Sequence, residues 1–312
     1  MMEGHKIVDK IISNIEKVIV GKRKILELAM ISILSEGHIL LEDVPGTGKT
    51  TFAKTLAKTI GCGFNRIQFT PDTLPSDVTG VSIYNMQKGS FEFVKGSVMN
   101  HVVLVDEINR ASPKTQASLL EAMAERQVTV DANTYILPRP FMVIATQNSI
   151  DSIGTYHLPE AQLDRFFMKL SMGYPNKEEE KNMVNKFLLN RQWREVDSVT
   201  DEYEICNMQD EVMKVEIHED LVDYILKITQ LSRNNEEITL GISPRATLDW
   251  IKGAQAMAYC RQRNYVIPDD VLEVFEPIIA HRILLSSETR MKRVSEKKVL
   301  SDIRGMIRIP IL

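Results

Sequence analysis

Cysteine is scarce in this sequence: three residues in 312, Cys62, Cys206 and Cys260, and no C-x-x-C pair. That spacing excludes a zinc-finger type of site and a disulfide framework. It leaves reduced, mostly packed thiols of a cytosolic protein as the expectation. No apolar run approaches the ~18 residues a membrane helix needs. The opening MMEGHKIVDKIISNIEKVIVG is no signal peptide, because Glu3, Asp9 and Lys10 break any apolar stretch. A net charge of −4 gives no electrostatic reason to expect non-specific nucleic-acid binding. His5, His38, His101, His157, His218 and His281 are scattered and form no metal constellation; they read as structural or exposed. Internal repeats and low-complexity segments are missing as well.

What is present is an ordinary globular composition, 44% hydrophobic and 26% charged, in a length that favours two domains over one. Apolar residues from Ile7 to Val20 recur at helical spacing, and Lys24 to Leu34 reads as a second, buried helix. Three short apolar runs follow among helices: HILLEDV, HVVLVDE (His101–Glu107) and FMVIATQN (Phe141–Asn148). Runs of this kind predict an α/β fold with a buried parallel sheet, whose ligand groups gather at the strands' carboxyl ends. VSIYNMQKGSFEFV and QVTVDANTYILP alternate about turns and read as two inserted hairpins. Beyond GYPNKEEEKN the chain reads as helices alone, with stripes at Leu221–Leu231, Ala246–Tyr259 and Asp269–Ile279. This places a domain boundary near Pro175, giving residues 1–174 and 175–312.

The chemistry starts at LLEDVPGTGKTT, Leu40 to Thr51. It follows a strand and opens a helix, as a phosphate-binding loop must. Gly46 and Gly48 leave the backbone bare, so successive N–H groups can meet phosphate oxygens beside the helix dipole. The cofactor-binding set is Pro45, Gly46, Thr47, Gly48, Lys49, Thr50 and Thr51, with Lys49 reaching the β- and γ-phosphates. The first glycine of the usual G-x-x-x-x-G-K-[ST] pattern is replaced by Asp43, a residue that tolerates unusual backbone angles. Asp106 and Glu107 end the second apolar run. Asp106, with Thr50, is placed to hold Mg²⁺. Glu107 is placed to polarise a water for in-line attack, which favours hydrolysis over kinase chemistry. Asn148 ends the third run, where an amide can orient that water; taken alone it is a turn residue.

Six blocks carry a resemblance: LLEDVPGTGKTTFAKTLA, RIQFTPDTLPSDVTG, VVLVDEINRASPKTQASLLEAMAERQVTVD, LPRPFMVIATQNS, GTYHLPEAQLDRFFMKL and GISPRATLDW. Together, and in this order, they resemble the MoxR family of AAA+ ATPases from about Val20 to Ile279. Ser149 stands where the family usually has proline, VDANTY lacks the usual turn glycine, and the segment after Ser286 fits weakly. The resemblance implies an αβα P-loop domain followed by an all-α helical lid. It implies hydrolysis of ATP with Mg²⁺ in a ring of copies, most often hexameric, coupled to chaperone-like remodelling or maturation of a client protein. The partner it implies is often a von Willebrand A-domain protein. It makes Arg165 of LDRF an arginine finger reaching into the neighbouring subunit's site. A surface arginine paired with Asp164 is the alternative. It makes Arg245 of SPRA the sensor-2 arginine, and Ser243 and Pro244 independently suit a helix start there. Val20 and Gly21 resemble the adenine-side segment, with core packing and a turn as the equal alternative.

Arg110 stands between an interface sensor and a structural ion pair. Glu121 and Arg126 stand between presenting the second hairpin and simple surface pairing. RMKRVSEKK reads as an exposed helix. Two rival functions remain in view: a DNA-handling AAA+ motor or transcription activator, and a nucleotide-gated scaffold too slow to matter as an enzyme. Against the first, the insert carries no GAFTGA loop and no DNA-binding domain is appended. Against the second stand intact Lys49, Asp106, Glu107, Asn148 and Arg165.

Overall fold

In the computed structural model, the structure describes residues 2–42, 44, 46–147, 155–189 and 196–310. The chain begins with helices α1 (Met2–Glu16) and α2 (Arg23–Leu34), enters strand β1 (Ile39–Glu42), and passes through the glycine loop into α3 (Lys49–Thr59). Then come β2 (Phe64–Gln68), α4 (Pro75–Thr79), the hairpin β3 (Gly80–Asn85) and β4 (Ser90–Lys95), and β5 (Val102–Asp106). Helix α5 (Pro113–Glu125) leads to the second hairpin, β6 (Gln127–Val130) and β7 (Asn133–Ile136), and on to β8 (Met142–Gln147), α6 (Glu160–Leu163) and β9 (Met168–Leu170).

The five strands β2-β5-β8-β1-β9 form one wholly parallel sheet in that order. Alternation along each strand sorts its side chains to two faces. Ile39, Leu41, Val102, Leu104, Met142 and Ile144 join one cluster with α1, α2 and α3. Leu40, Val103, Val105, Val143 and Ala145 join another with Leu119, Leu120 and Met123 of α5. The three inner strands are the three apolar runs of the sequence. The two edges, β2 and β9, carry Asn65, Arg66, Gln68 and Lys169, and did not read as strands. An edge strand is half solvated, so its polar residues hide the pattern that marks a buried one.

The hairpins form where expected. Asn85 Oδ1 accepts the N–H groups of Gln87 (2.9 Å) and Lys88 (3.2 Å) in the first turn. The second turns on Asp131 (φ 47°) and Ala132 (φ 65°), both left-handed, so the tight turn survives without its glycine. Phe93 and Tyr135 stack at 3.9 Å and join the two hairpins.

The second half contains α7 (Lys177–Leu189), α8 (Glu202–Val212), α9 (Glu219–Arg233), α10 (Pro244–Cys260), α11 (Pro268–Ile279), α12 (Ser287–Met291) and α13 (Glu296–Gly305). It is not purely helical: β10 (Ile238–Leu240) and β11 (Leu284–Leu285) pair antiparallel. Strands of three and two residues are too short to leave a period in the sequence. Trp250 of α10 lies against Phe275 of α11 (4.5 Å) and donates its indole N–H to Val271 O at 2.7 Å. The weakly matching carboxyl-terminal segment packs in through Val299, Leu300 and Ile303. The basic cluster is two helices, not one, and Lys292, Lys297 and Lys298 pair with Glu288, Glu276 and Asp302. Helices α8, α9, α10, α11 and α13 share one apolar cluster with α1, α2 and α3, so the lid is tied to one face of the sheet. Among the described residues, no helix is long and apolar enough to cross a membrane.

Candidate functional site

The glycine loop leaves the carboxyl end of β1, an inner strand. Gly46 and Gly48 take φ of +84° and +85°, a region that β-carbons disfavour. A β-carbon built on either would meet nothing within 4 Å, so the loop presents bare backbone to open space. Gly48 caps α3, and Lys49, Thr50 and Thr51 form its first turn. Pro45, like Asp43, lies outside the described residues. The arrangement fits an anion: backbone N–H groups at a helix start, a lysine, and a hydroxyl suited to a hard cation.

Asp106 ends β5 and is buried. Its carboxylate accepts hydrogen bonds from Arg66 Nε at 2.7 Å and Thr146 Oγ1 at 3.2 Å. Glu107 follows in the left-handed region (φ 56°, ψ 53°), which is uncommon for a residue with a β-carbon. That geometry turns its side chain out of the strand's alternation. Thr146 Oγ1 also accepts the Glu107 N–H at 2.9 Å, so one hydroxyl on β8 fastens both acids. Glu107 Oε2 accepts from Gln68 Nε2 at 2.9 Å and from Arg110 at 2.8 Å. Of the two readings of Arg110, the ion pair is the one observed. Arg66, Gln68 and Thr146 were missed from the sequence. Arg66 and Gln68 sit on the unread edge strand, and Thr146 looked like one more residue of an apolar run.

Asn148 lies outside the described residues; β8 ends one residue before it, at Gln147. Gly21 adopts φ +74°, and the Glu179 side chain lies where its β-carbon would be, within 2.1 Å. The start of α7 thus folds over the Val20–Gly21 segment, and Lys22 donates to Tyr174 O at 3.2 Å. A cavity of about 1060 Å³ opens beside Gly21, bordered by Ile25, Glu42 at the end of β1, Gln147, and Leu272 and Glu276 of α11.

Arg165 and Arg245 are placed elsewhere. Met168 is level with Ile39, the first residue of β1, and Phe167 N–H donates to His38 O at 2.8 Å. Arg165 therefore lies off the amino ends of the strands, whereas Lys49, Asp106 and Glu107 lie at the carboxyl ends. The length of β1 alone, roughly 10 Å at ~3.3 Å per residue, separates the two levels. Arg165 has no side-chain partner among the described residues, and the anticipated pairing with Asp164 is absent. Asp164 instead accepts from Ser243 Oγ (2.9 and 3.1 Å) and from Arg282 (3.4 Å). Ser243 caps α10 and Pro244 occupies its first turn, as expected, which leaves Arg245 exposed at the helix start on the same side of the molecule as Arg165.

Other singled-out residues are structural. Arg126 is a left-handed helix cap that donates to Phe141 O (3.1 Å) and Glu36 O. His38 accepts the Val143 N–H at Nδ1 (3.0 Å), so Nε2 carries the proton and donates to Met123 O (3.2 Å). Burial, reinforced by Arg126, pushes its pKa down to about 3. Burial, with Arg282 adjacent, lowers His281 to about 3. Burial lifts the Cys62 and Cys260 thiols to about 12, which leaves them inert. Among the described residues no cluster of histidine, cysteine or acidic groups could hold a metal by itself.

Comparison with known proteins identifies the family and the fold. Residues 38–168 match the model of the ATPase family associated with various cellular activities, and residues 230–303 match that of an AAA lid domain. Chaperone MoxR1 of Mycobacterium tuberculosis is 37% identical, over 97% of this chain and 82% of that protein. YeaC of Bacillus subtilis is 44% identical, over 98% and 96%. A crystal structure from Cytophaga hutchinsonii superposes with a TM-score of 0.93 at 39% identity, covering 99% of this chain and 97% of that one. A glycine loop after β1, paired acids at the end of β5 and a helical lid accompany these matches: the chain belongs to the MoxR family of AAA+ ATPases.

Proposed function

We propose that this protein hydrolyses ATP at a site shared between neighbouring copies in a ring, six being the expected number, and uses the cycle to remodel or mature a client protein. One observation carries the reading. The residues that would hold and activate the reactants lie at the carboxyl edge of the sheet, and Arg165 lies at the amino edge. An arginine placed away from its own loop, with no partner of its own among the described residues, suits a neighbour's site.

Within one chain, Gly46–Thr51 would hold the phosphates, with Lys49 on the β- and γ-phosphates. Thr50 and Asp106 offer the oxygen ligands that Mg²⁺ prefers, and the open cradle fits a triphosphate. Held there, Mg²⁺ would supply neutralisation of phosphate charge. Glu107 is the base that would orient and deprotonate water, assisted by Asn148. Val20 and Gly21 would flank the base. Arg165 would neutralise transition-state charge, worth roughly 10³–10⁵ in rate, and Arg245 at the start of α10 would sense the γ-phosphate. Residues 1–174 form the nucleotide-binding unit in this reading and 175–312 the lid. Three free thiols suit a cytosolic location. The name of the Mycobacterium relative supports a chaperone output. A von Willebrand A-domain partner is carried over from the family resemblance alone.

The scaffold alternative is favoured by one contact set: Gln68 and Arg110 both occupy Glu107, which would keep basal turnover low. Phosphate release from Mg-ATP by wild type and Glu107→Gln, with binding of a fluorescent ATP analogue measured on both, separates the readings. Hydrolysis lost with binding kept supports the enzyme. Equal, negligible release from both supports the scaffold. Stimulation by DNA would favour the motor instead.

A further inference from the structure

Arg282 follows α11 and its side chain is wholly buried. A buried guanidinium is costly unless its donors are met, and this one is met from both halves of the protein. It donates to Asp249 Oδ2 of α10 at 2.8 Å and to Asp164 Oδ1 at 3.4 Å. It also donates to the carbonyls of Phe166 (2.7 Å) and Phe167 (3.2 Å), the two residues after Arg165. His281 Nε2 reaches the same Phe166 carbonyl at 2.8 Å. Phe167 is wedged in turn. Its Cβ lies 2.4 Å from where a β-carbon on Gly37 would be, and its ring tip 3.4 Å from one on Gly253 of α10. Asp164, Phe166 and Phe167, which flank Arg165, are therefore each gripped by lid residues, with Phe167 wedged between Gly37 before β1 and Gly253 of the lid. Arg165 itself stands half-exposed between them.

The geometry assigns Arg282 as the positioning residue of Arg165: the lid of each subunit, through Arg282, sets the arginine that the same subunit offers to its neighbour. This rests on the reading of Arg165 as a group acting on the adjacent site. Its consequence is directional. Loss of Arg282 harms the neighbour's site and spares the chain's own cradle, Asp106 and Glu107. Lysine cannot replace it, because one ammonium cannot span two carboxylates and two carbonyls as a planar fork does.

The test mixes full-length chains. Arg282→Gln and Arg282→Lys alone should lose about 10- to 100-fold in kcat, a part of a finger's full effect, with affinity for a fluorescent ATP analogue unchanged. Mixed one to one with Glu107→Gln, Arg282→Gln should regain activity well above the mean of the two separate samples. About a quarter of the interfaces in a random ring then join an intact Glu107 to an intact Arg165 segment. Mixed with Arg165→Ala, it should regain none. If Arg165→Ala is rescued by Glu107→Gln but Arg282→Gln is not, Arg282 does not act through Arg165 and the inference falls while the shared site stands. If neither is rescued, the shared site falls and the inference with it. Asp249→Asn, which keeps the guanidinium, goes through the same mixing, so the question is decided even if the Arg282 variants do not fold.

Discussion

Ser243 Oγ donates to the Asp164 carboxylate at 2.9 Å while accepting the Ala246 N–H at 3.0 Å, so one hydroxyl both starts a lid helix and ties it to the segment carrying Arg165. Replacing Ser243 with alanine removes both bonds. We expect a loss of about 1–2 kcal/mol from the missing cap, read as a lower denaturation midpoint, together with reduced turnover. Threonine keeps the hydroxyl and should restore most of both. Unchanged stability in Ser243→Ala would show that the cap and the tie contribute nothing.

Gln68 and Arg110 hold Glu107 by hydrogen bonds of 2.9 and 2.8 Å. Both bonds fall on Oε2, so that oxygen has little room left to accept a hydrogen bond from water. Gln68→Ala should raise basal phosphate release several-fold, whereas Glu107→Gln should lower it by roughly 10²–10⁴. Should Gln68→Ala prove as inactive as Glu107→Gln, then Gln68 aims the carboxylate and does not restrain it.

His38 and His281 are buried neutral, with pKa values lowered to about 3 from the ordinary 6.5. The folded protein therefore binds fewer protons than the unfolded chain below pH 6.5. The stability these rings contribute is complete above that pH. It is lost on acidification towards pH 3, at up to about 1.4 kcal/mol per pH unit for each. Urea midpoints should fall between pH 7 and pH 5; equal midpoints would contradict the buried, neutral assignment.

Gly48 has a left-handed backbone and empty space where a side chain would start. Gly48→Ala should cost only about 1–2 kcal/mol of fold stability, while the methyl group enters the cradle itself. Affinity for nucleotide should drop at least tenfold at an almost unchanged melting temperature. Binding at the wild-type level would move the phosphates away from this loop.

The readable parts of the fold were those whose pattern burial enforces. The inner strands 39–42, 102–106 and 142–147 are apolar on both faces, and α9, α10 and α11 keep their stripes over three turns or more. The edge strands stayed hidden because solvent permits polar residues there. Lys49, Asp106 and Glu107 stand out as candidates because each sits in a short local pattern, a glycine loop or the end of an apolar strand, and the structure puts all three at the carboxyl ends of the parallel sheet. Arg66, Gln68 and Thr146 act from three other positions across the sheet, a relation set by strand order and not by sequence distance. Arg282 lies 118 residues from Asp164, and no local signal marks such a pair.

The central claim is a site divided between copies, and it is tested most directly by ATP hydrolysis measured against protein concentration. Wild type and Arg165→Ala are compared, with sedimentation on the same samples. We predict that specific activity rises as subunits assemble and is lost in an Arg165→Ala protein that still binds ATP and still assembles. Equal specific activity in dilute monomer, and in the variant, would contradict a shared site and leave a nucleotidase complete within one chain.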